Sequence, residues 1–284
     1  MEDILEKIVK RKRATIEERK SLISEEELYN KAIELGKNKK DNLFKKEIFS
    51  NNLTVIGEFK KASPSKGVIV KDFNLEKILS YYNDLNIDAF SILTEETFFL
   101  GSDENLKFIR KNSNKPILRK DFIVDFYQIY EAVFLGADSI LLIASVLKED
   151  LSKFYKEAKK FNLEPLVEVH NEEEVKLSVE ANCEIIGVNN RNLRNFNTST
   201  EVTKNLINSI PRDKAIVAES GLLSIEDIQY MKNLGVNGVL IGEMFMRNIE
   251  NRDFIKKFKE FRKINFSLFT KNRGYYENKN MWYY

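Results

Sequence analysis

Short apolar runs rich in β-branched residues alternate with stretches of helical period along this chain, and the pattern repeats eight times. The strand candidates are Leu53–Phe59, Ala89–Leu93, Pro116–Arg119, Ser139–Ile143, Glu164–Val169, Glu184–Asn189, Ala215–Glu219 and Gly238–Gly242. Between them lie amphipathic patterns such as Leu75–Leu85, Phe126–Leu135, Leu151–Phe161 and Ile225–Leu234. Eight such units, spaced roughly twenty to thirty-five residues apart, are what an α/β chain needs to close a (β/α)₈ TIM barrel. A doubly wound sheet also alternates, but no Gly-x-Gly-x-x-Gly first turn is present to favour it. Gly136 and Gly235 each stand just past a helical stretch and read as C-caps at the bottom of the barrel.

Residues 1–50 read as an N-terminal helical extension, with Ile4, Leu5, Ile8 and Val9, then Leu28, Ala32 and Leu35, at helical spacing. Residues 1–262 are expected to form one barrel unit including that extension. The tail 263–284 is aromatic and basic without turn-regular pattern. Its bland reading is a loose extension, and the sharper expectation is that its aromatics dock on the barrel or on a second subunit.

Composition narrows the chemistry. A length of 284 residues fits one large barrel or two ordinary domains, and 43% hydrophobic residues suffice for a sizeable core. No run is long enough to span a membrane, and the charged start MEDILEKIVKRKR lacks the apolar region of a signal peptide. One cysteine, Cys183, rules out an internal disulfide framework and fits a reducing cytoplasm, where it reads as buried and inert. One histidine, His170, argues against His-cluster metal sites and Ser-His-Asp chemistry. Neighbouring strand residues face opposite ways, and His170 is expected to pack behind the barrel wall, away from Glu168. The net charge of +2 comes from interspersed Lys and Glu, a solvated surface without a nucleic-acid footprint.

The ends of the strands carry a different message. Active sites of parallel barrels form where the strands finish. Here those ends hold Glu58 and Lys60, Lys120, Glu168, Asn189 and Arg191, and Glu219 with Ser220. One such pair alone would read as a structural ion pair. Two lysines and two or three carboxylates converging on one cavity shift each other's pKa values and suit proton transfer at neutral pH. Glu219-Ser220-Gly221 and Gly242-Glu243 end strands seven and eight, the usual barrel phosphate site, with glycines that let backbone N–H groups approach an anion. A small phosphorylated substrate follows, with no membrane or nucleic-acid partner.

The stretches GEFKKASPSKGVI, SILTEETFFLGSDENL, PILRKDFIVDFYQIYEAVFLGADSILLI, PLVEVH, IIGVNNRNL, IVAESGL and GVLIGEMFMR closely resemble the indole-3-glycerol phosphate synthase family, barrel enzymes of tryptophan biosynthesis. They occur in the family's order across roughly residues 1–262. The resemblance implies a carbon-carbon lyase that needs no cofactor or metal. It implies that Lys120 is the general acid, Glu168 the general base, Lys60 the contact for the substrate carboxylate and acid for water loss, and Glu58 its partner. Asn189, Arg191, Glu219 and Ser220 would hold the substrate, with Ser63 nearby. Gly221, Gly242 and Glu243 would cradle the phosphate. Phe99, Phe122, Leu141 and Leu193 would form the apolar slot for an anthranilate ring, with Phe99 or its neighbour Phe98 at the pocket.

There are departures from the family pattern. Asn192 stands where Asp is common, Met244 where a small residue is frequent, and the tail runs past the usual end. Three other readings compete. A Schiff-base aldolase would use Lys60 or Lys120 as an amine nucleophile. A silent barrel would serve as a binding scaffold, but the strand-end charges are costly without a use. Phosphoribosylanthranilate isomerase has a similar fold but a Cys at the first strand end, where this chain has Glu58-Phe59-Lys60. The expected state is a monomer or weak homo-oligomer.

Overall fold

A strand buried on both faces has to satisfy its backbone against two neighbours, and a sheet with no free edge does so by closing on itself. The computed structural model, which describes residues 4–36, 41–50, 52–192 and 197–263, shows that closure. The strands are β1 (Thr54–Phe59), β2 (Ala89–Leu93), β3 (Ile117–Lys120), β4 (Ser139–Ile143), β5 (Leu166–Val169), β6 (Ile185–Asn189), β7 (Ala215–Glu219) and β8 (Gly238–Ile241). Each pairs in parallel with its sequence neighbours, and β1 closes on β8 with Thr54 opposite Gly238 and Ile56 opposite Leu240. The expected strands are all present, three with the expected bounds and five with one or both ends shifted by one or two residues. Lys120 becomes the last residue of β3. Helices follow the strands, and Gly136 and Gly235 end two of them in the left-handed conformation, as glycine allows without strain.

Because side chains alternate along a strand, each one feeds two cores. Ile56, Leu118, Leu141, Leu166, Ile185, Val217 and Leu240 meet inside the barrel. The intervening residues, such as Val55, Ile140, Val167, Ile186 and Val239, pack outward against the helices. Burying each large aliphatic side chain contributes about 1.5–3 kcal/mol, and nearly all of these are fully buried.

The extension supplies lids at both ends. Helix α3 (Leu43–Ile48) closes the end where strands begin. Phe44 and Ile48 plug the inner core, while Asn42 Nδ2 donates to the carbonyls of Asp138 and Asn162 at 2.8 and 2.7 Å. Helix α1 (Ile4–Leu22) crosses the opposite end. It is tied there by Lys12 to Asp121 at 2.7 Å, Lys20 to Asp125 at 2.9 Å and Arg19 to Asp103 and Glu131, both at 2.6 Å. Helix α2 (Glu25–Gly36) lies against the helix Tyr127–Leu135. Among the described residues no helix is long and apolar enough to cross a membrane. Cys183 is fully buried, and burial pushes its thiol up to about 12, which makes it inert. The docking expected of residues 264–284 lies outside the described residues, as does Leu193.

Candidate active site

Stepping two residues from each inner apolar position toward the strand's end places the next inward side chain. Ile56 leads to Glu58, Leu118 to Lys120, Leu166 to Glu168, Val217 to Glu219 and Leu240 to Gly242, while Ile185 leads through Gly187 to Asn189. A charged layer therefore sits directly on an apolar floor. It lines a cavity of about 200 Å³ to which every described residue expected at the site contributes: Glu58, Lys60, Ser63, Phe99, Lys120, Phe122, Leu141, Glu168, Asn189, Arg191, Glu219, Ser220, Gly221, Gly242 and Glu243.

Lys120 is the centre of the charged layer. Its Nζ lies 3.3 Å from Glu168 Oε2 and closer still to Glu219 Oε2. Burial alone would lower the Lys120 ammonium, but Glu219, then Glu168 and Glu58, outweigh it and hold the group above its ordinary range. Burial also pushes Glu219 up to about 7, helped by Glu168 and resisted by Lys120. Glu168 moves the other way. Its burial is overcome by Lys120, then by His170 and a hydrogen bond from Asn189, so it stays below the usual carboxylate range. Two neighbouring carboxylates thus differ in readiness to hold a proton, which is how one site separates acid from base work.

Two glycines make room for this crowding. A Cβ on Gly187 would collide with Glu219 Oε1, and one on Gly242 with Glu58 Oε2. Gly242 therefore has a steric task besides any contact with an anion. Glu58 Oε2 lies 3.2 Å from Lys60 Nζ, and the same ammonium sits 5.8 Å above the centre of the Phe99 ring. Phe99 in turn meets Phe122 at 6.0 Å between centroids, so charge and aromatic surface adjoin along one wall. Phe98 packs on the inner core without lining the cavity.

At the mouth, Ser220 and Gly221 both adopt left-handed backbone, with φ of +63° and +74°. Asn190 Nδ2 donates to the Ser220 carbonyl at 3.2 Å and its Oδ1 accepts from Thr203, which braces that turn from the barrel wall. Arg191 Nη1 donates to Ser65 Oγ at 3.1 Å, joining the loop after β6 to the Ser-Pro-Ser loop after β1. Glu243 turns its carboxylate to Arg247 at 2.9 Å, so its side chain is occupied and its backbone is what remains for a ligand. Met244 is buried in the outer core.

One expectation is corrected. His170 is two residues from Glu168, so alternation sends both to the same side, and the structure sets His170 Nε2 3.4 Å from Glu168 Oε1. Counting to the second neighbour in Glu-Val-His would have found it. The structure adds Ser65, Gly187 and the pair between Lys12 and Asp121, the residue after Lys120. Nothing local in the sequence marks these, because each is defined by a distant partner. Among the described residues no group of three or more His, Cys, Asp or Glu side chains is disposed to hold a metal ion.

Residues 5–258 match the family model for indole-3-glycerol phosphate synthase. The chain is 49% identical over 261 residues to the indole-3-glycerol phosphate synthase of Clostridium acetobutylicum, covering 90% of this chain and 99% of that one. It is 47% identical over 255 residues to the enzyme of the same name from Thermoanaerobacter pseudethanolicus, covering 90% and 96%. Among solved structures, KGPDC from Streptococcus mutans superposes with a TM-score of 0.56 at 14% identity, covering 76% of this chain and 100% of that one. The 3-hexulose-6-phosphate synthase of Salmonella typhimurium gives 0.56 at 15%, covering 74% and 98%. At such identities the two structures speak to the barrel fold alone.

Proposed function

The chain belongs to the indole-3-glycerol phosphate synthase family, and from that membership we propose that it closes the ring of 1-(2-carboxyphenylamino)-1-deoxyribulose 5-phosphate. The product is indole-3-glycerol phosphate, with loss of CO₂ and water. The observation that carries the assignment of roles is the Lys120 ammonium held between Glu168 and Glu219 on an apolar floor.

Attack of the aromatic ring on the substrate ketone builds negative charge on oxygen, which a positioned ammonium stabilises and then protonates. Lys120 is that acid, and its carboxylate partners keep it charged at neutral pH. Loss of CO₂ follows once the carboxylate-bearing carbon is tetrahedral. Dehydration then needs a base and an acid, supplied by Glu168 and a lysine, with Lys60 beside the substrate carboxylate. Phe99, Phe122 and Leu141 offer the ring an apolar slot. The backbone at Gly221, Gly242 and Glu243 takes the phosphate, with Ser63 near it, while Asn189, Arg191, Glu219 and Ser220 hold the polar chain.

A lysine that forms an imine has to spend time as the neutral amine, and the carboxylates around Lys120 oppose that state. This weakens the aldolase reading at Lys120. We further infer a cytoplasmic enzyme, one barrel unit over residues 1–262, and a monomer or weak homo-oligomer to which the tail offers a docking segment.

The test is appearance of indole absorbance and fluorescence from the carboxyphenylamino-deoxyribulose phosphate with EDTA present. Turnover supports substrate and reaction together. Silence from folded, phosphate-binding protein, or trapping of a ketose phosphate by borohydride, overturns the proposal.

A further inference from the structure

Behind Glu168 lies a second cavity of about 640 Å³, and His170 stands between the two. The imidazole is pinned from the outer side. Its Nδ1 is 3.0 Å from Glu174 Oε2, which also accepts the His170 backbone N–H at 2.8 Å. Glu174 Oε1 accepts from Asn171 Nδ2 at 2.7 Å, and Asn171 Oδ1 caps the helix Glu172–Glu180 by accepting the Glu174 N–H. The ring thus hangs from a carboxylate that is itself fixed. On the inner side, the buried Nε2 has no hydrogen-bond partner among the described residues and faces Glu168 Oε1 at 3.4 Å.

A neutral imidazole has one N–H and one lone pair. With the proton on Nδ1, the lone pair of Nε2 opposes the Glu168 carboxylate. With the proton on Nε2, the lone pair of Nδ1 opposes Glu174. Only the imidazolium turns an N–H, and a positive charge, toward both carboxylates at once. The other charged groups around it are Glu219 on β7, Lys120 behind Glu168, and Glu6 and Lys148 across the outer cavity. Burial disfavours the charged ring, but the bond to Glu174 and then the charge of Glu168 outweigh it and raise its pKa.

We propose that His170 is a positioning residue for the general base, held as an imidazolium by Glu174 so that Glu168 carries a cation on each oxygen, Lys120 on Oε2 and His170 on Oε1. The inference rests on Glu168 being the base. Because Nδ1 keeps its proton on Glu174, alkaline pH removes the Nε2 proton, which turns the contact with Glu168 repulsive, loosens that carboxylate and slows the reaction while substrate binding persists.

Because His170 is the only histidine in the chain, its ring can be read alone. In protein labelled with ¹⁵N-histidine, both ring nitrogens are expected at imidazolium shifts at pH 7, and in Glu174→Gln the transition to the neutral ring moves at least one pH unit lower. A neutral-tautomer spectrum at pH 7 in the parent overturns the proposal. In kinetics, His170→Asn lowers kcat about tenfold with KM within twofold and abolishes the alkaline limb that the parent shows at the pH of the ring transition. An unchanged limb in a folded His170→Asn variant also overturns it. Glu168→Gln separates the two ideas: if that variant keeps near-normal turnover the base assignment fails, whereas the ring spectrum judges His170 independently of turnover.

Discussion

Lys12→Met perturbs the loop after Lys120 from the N-terminal helix, at a residue that does not itself line the cavity. Lys12 Nζ lies 2.7 Å from Asp121 Oδ1, with side chains 6% and 1% exposed. At an effective dielectric of about 20, that separation corresponds to a gross attraction of about 6 kcal/mol. Desolvation of both ions offsets much of it, yet removing one member leaves the other buried and uncompensated, which typically costs about 3–5 kcal/mol. Asp121 keeps a hydrogen bond from the Thr94 hydroxyl at 2.7 Å and Arg119 at 3.5 Å, so the lower end, about 3 kcal/mol, is expected. For a barrel of this size that is a fall in Tm of about 5 °C.

The pH dependence fixes the sign. Burial pushes the Asp121 carboxyl up, but Lys12 first and then Arg119 outweigh it and hold it below its ordinary value. Its contribution is therefore complete above the unfolded value near 3.9 and disappears as pH falls through the folded one. The gap in stability between parent and Lys12→Met, measured by urea denaturation, should be full at pH 7 and narrow at low pH. Lys12→Met with Asp121→Asn should recover at least half the loss, since no buried charge is then stranded. A single variant within about 1 kcal/mol of the parent, or a double variant no better than the single, would refute the reasoning.

Lys120→Met should lower kcat by about 10²–10⁴-fold, the usual worth of a positioned acid, with substrate-analogue affinity largely kept in titration calorimetry. Near-normal turnover would sink the acid assignment. Gly187→Ala drives a methyl into Glu219 and should cost about 1–3 kcal/mol of stability together with a drop in kcat; a silent substitution would show that Glu219 has room to spare. The raised pKa of His170 means its stabilising contribution is complete below the unfolded value near 6.5 and is lost as pH climbs through the folded one. His170→Asn should therefore flatten that part of the stability profile, and a parent-like slope would contradict it.

The barrel was legible because its periodicities are local: eight apolar runs and their amphipathic partners each announce an element within a few residues. The charged layer was legible for the same reason, since Lys120 ends its strand and Glu168 stands one residue from the end of its own. What escaped was pairwise and distant. Gly187 looks like a gap in β6 until Glu219 is seen filling the space. Lys12 looks like one more surface lysine of a charged helix until Asp121 lies beneath it. His170 was misplaced by reading a second neighbour as a first.

The pairing of β1 with β8 has a consequence for how the protein comes into being. Synthesis delivers Glu58 and Lys60 early and Gly242 late, so one side of the first strand waits as an open edge while nearly the whole barrel is made. Non-local pairing of this kind is slow, and waiting edges invite association with other chains. The charged chamber closes only when β8 joins β1, and a nascent chain interrupted before β8 carries Glu58 and Lys60 with that side of the barrel still open.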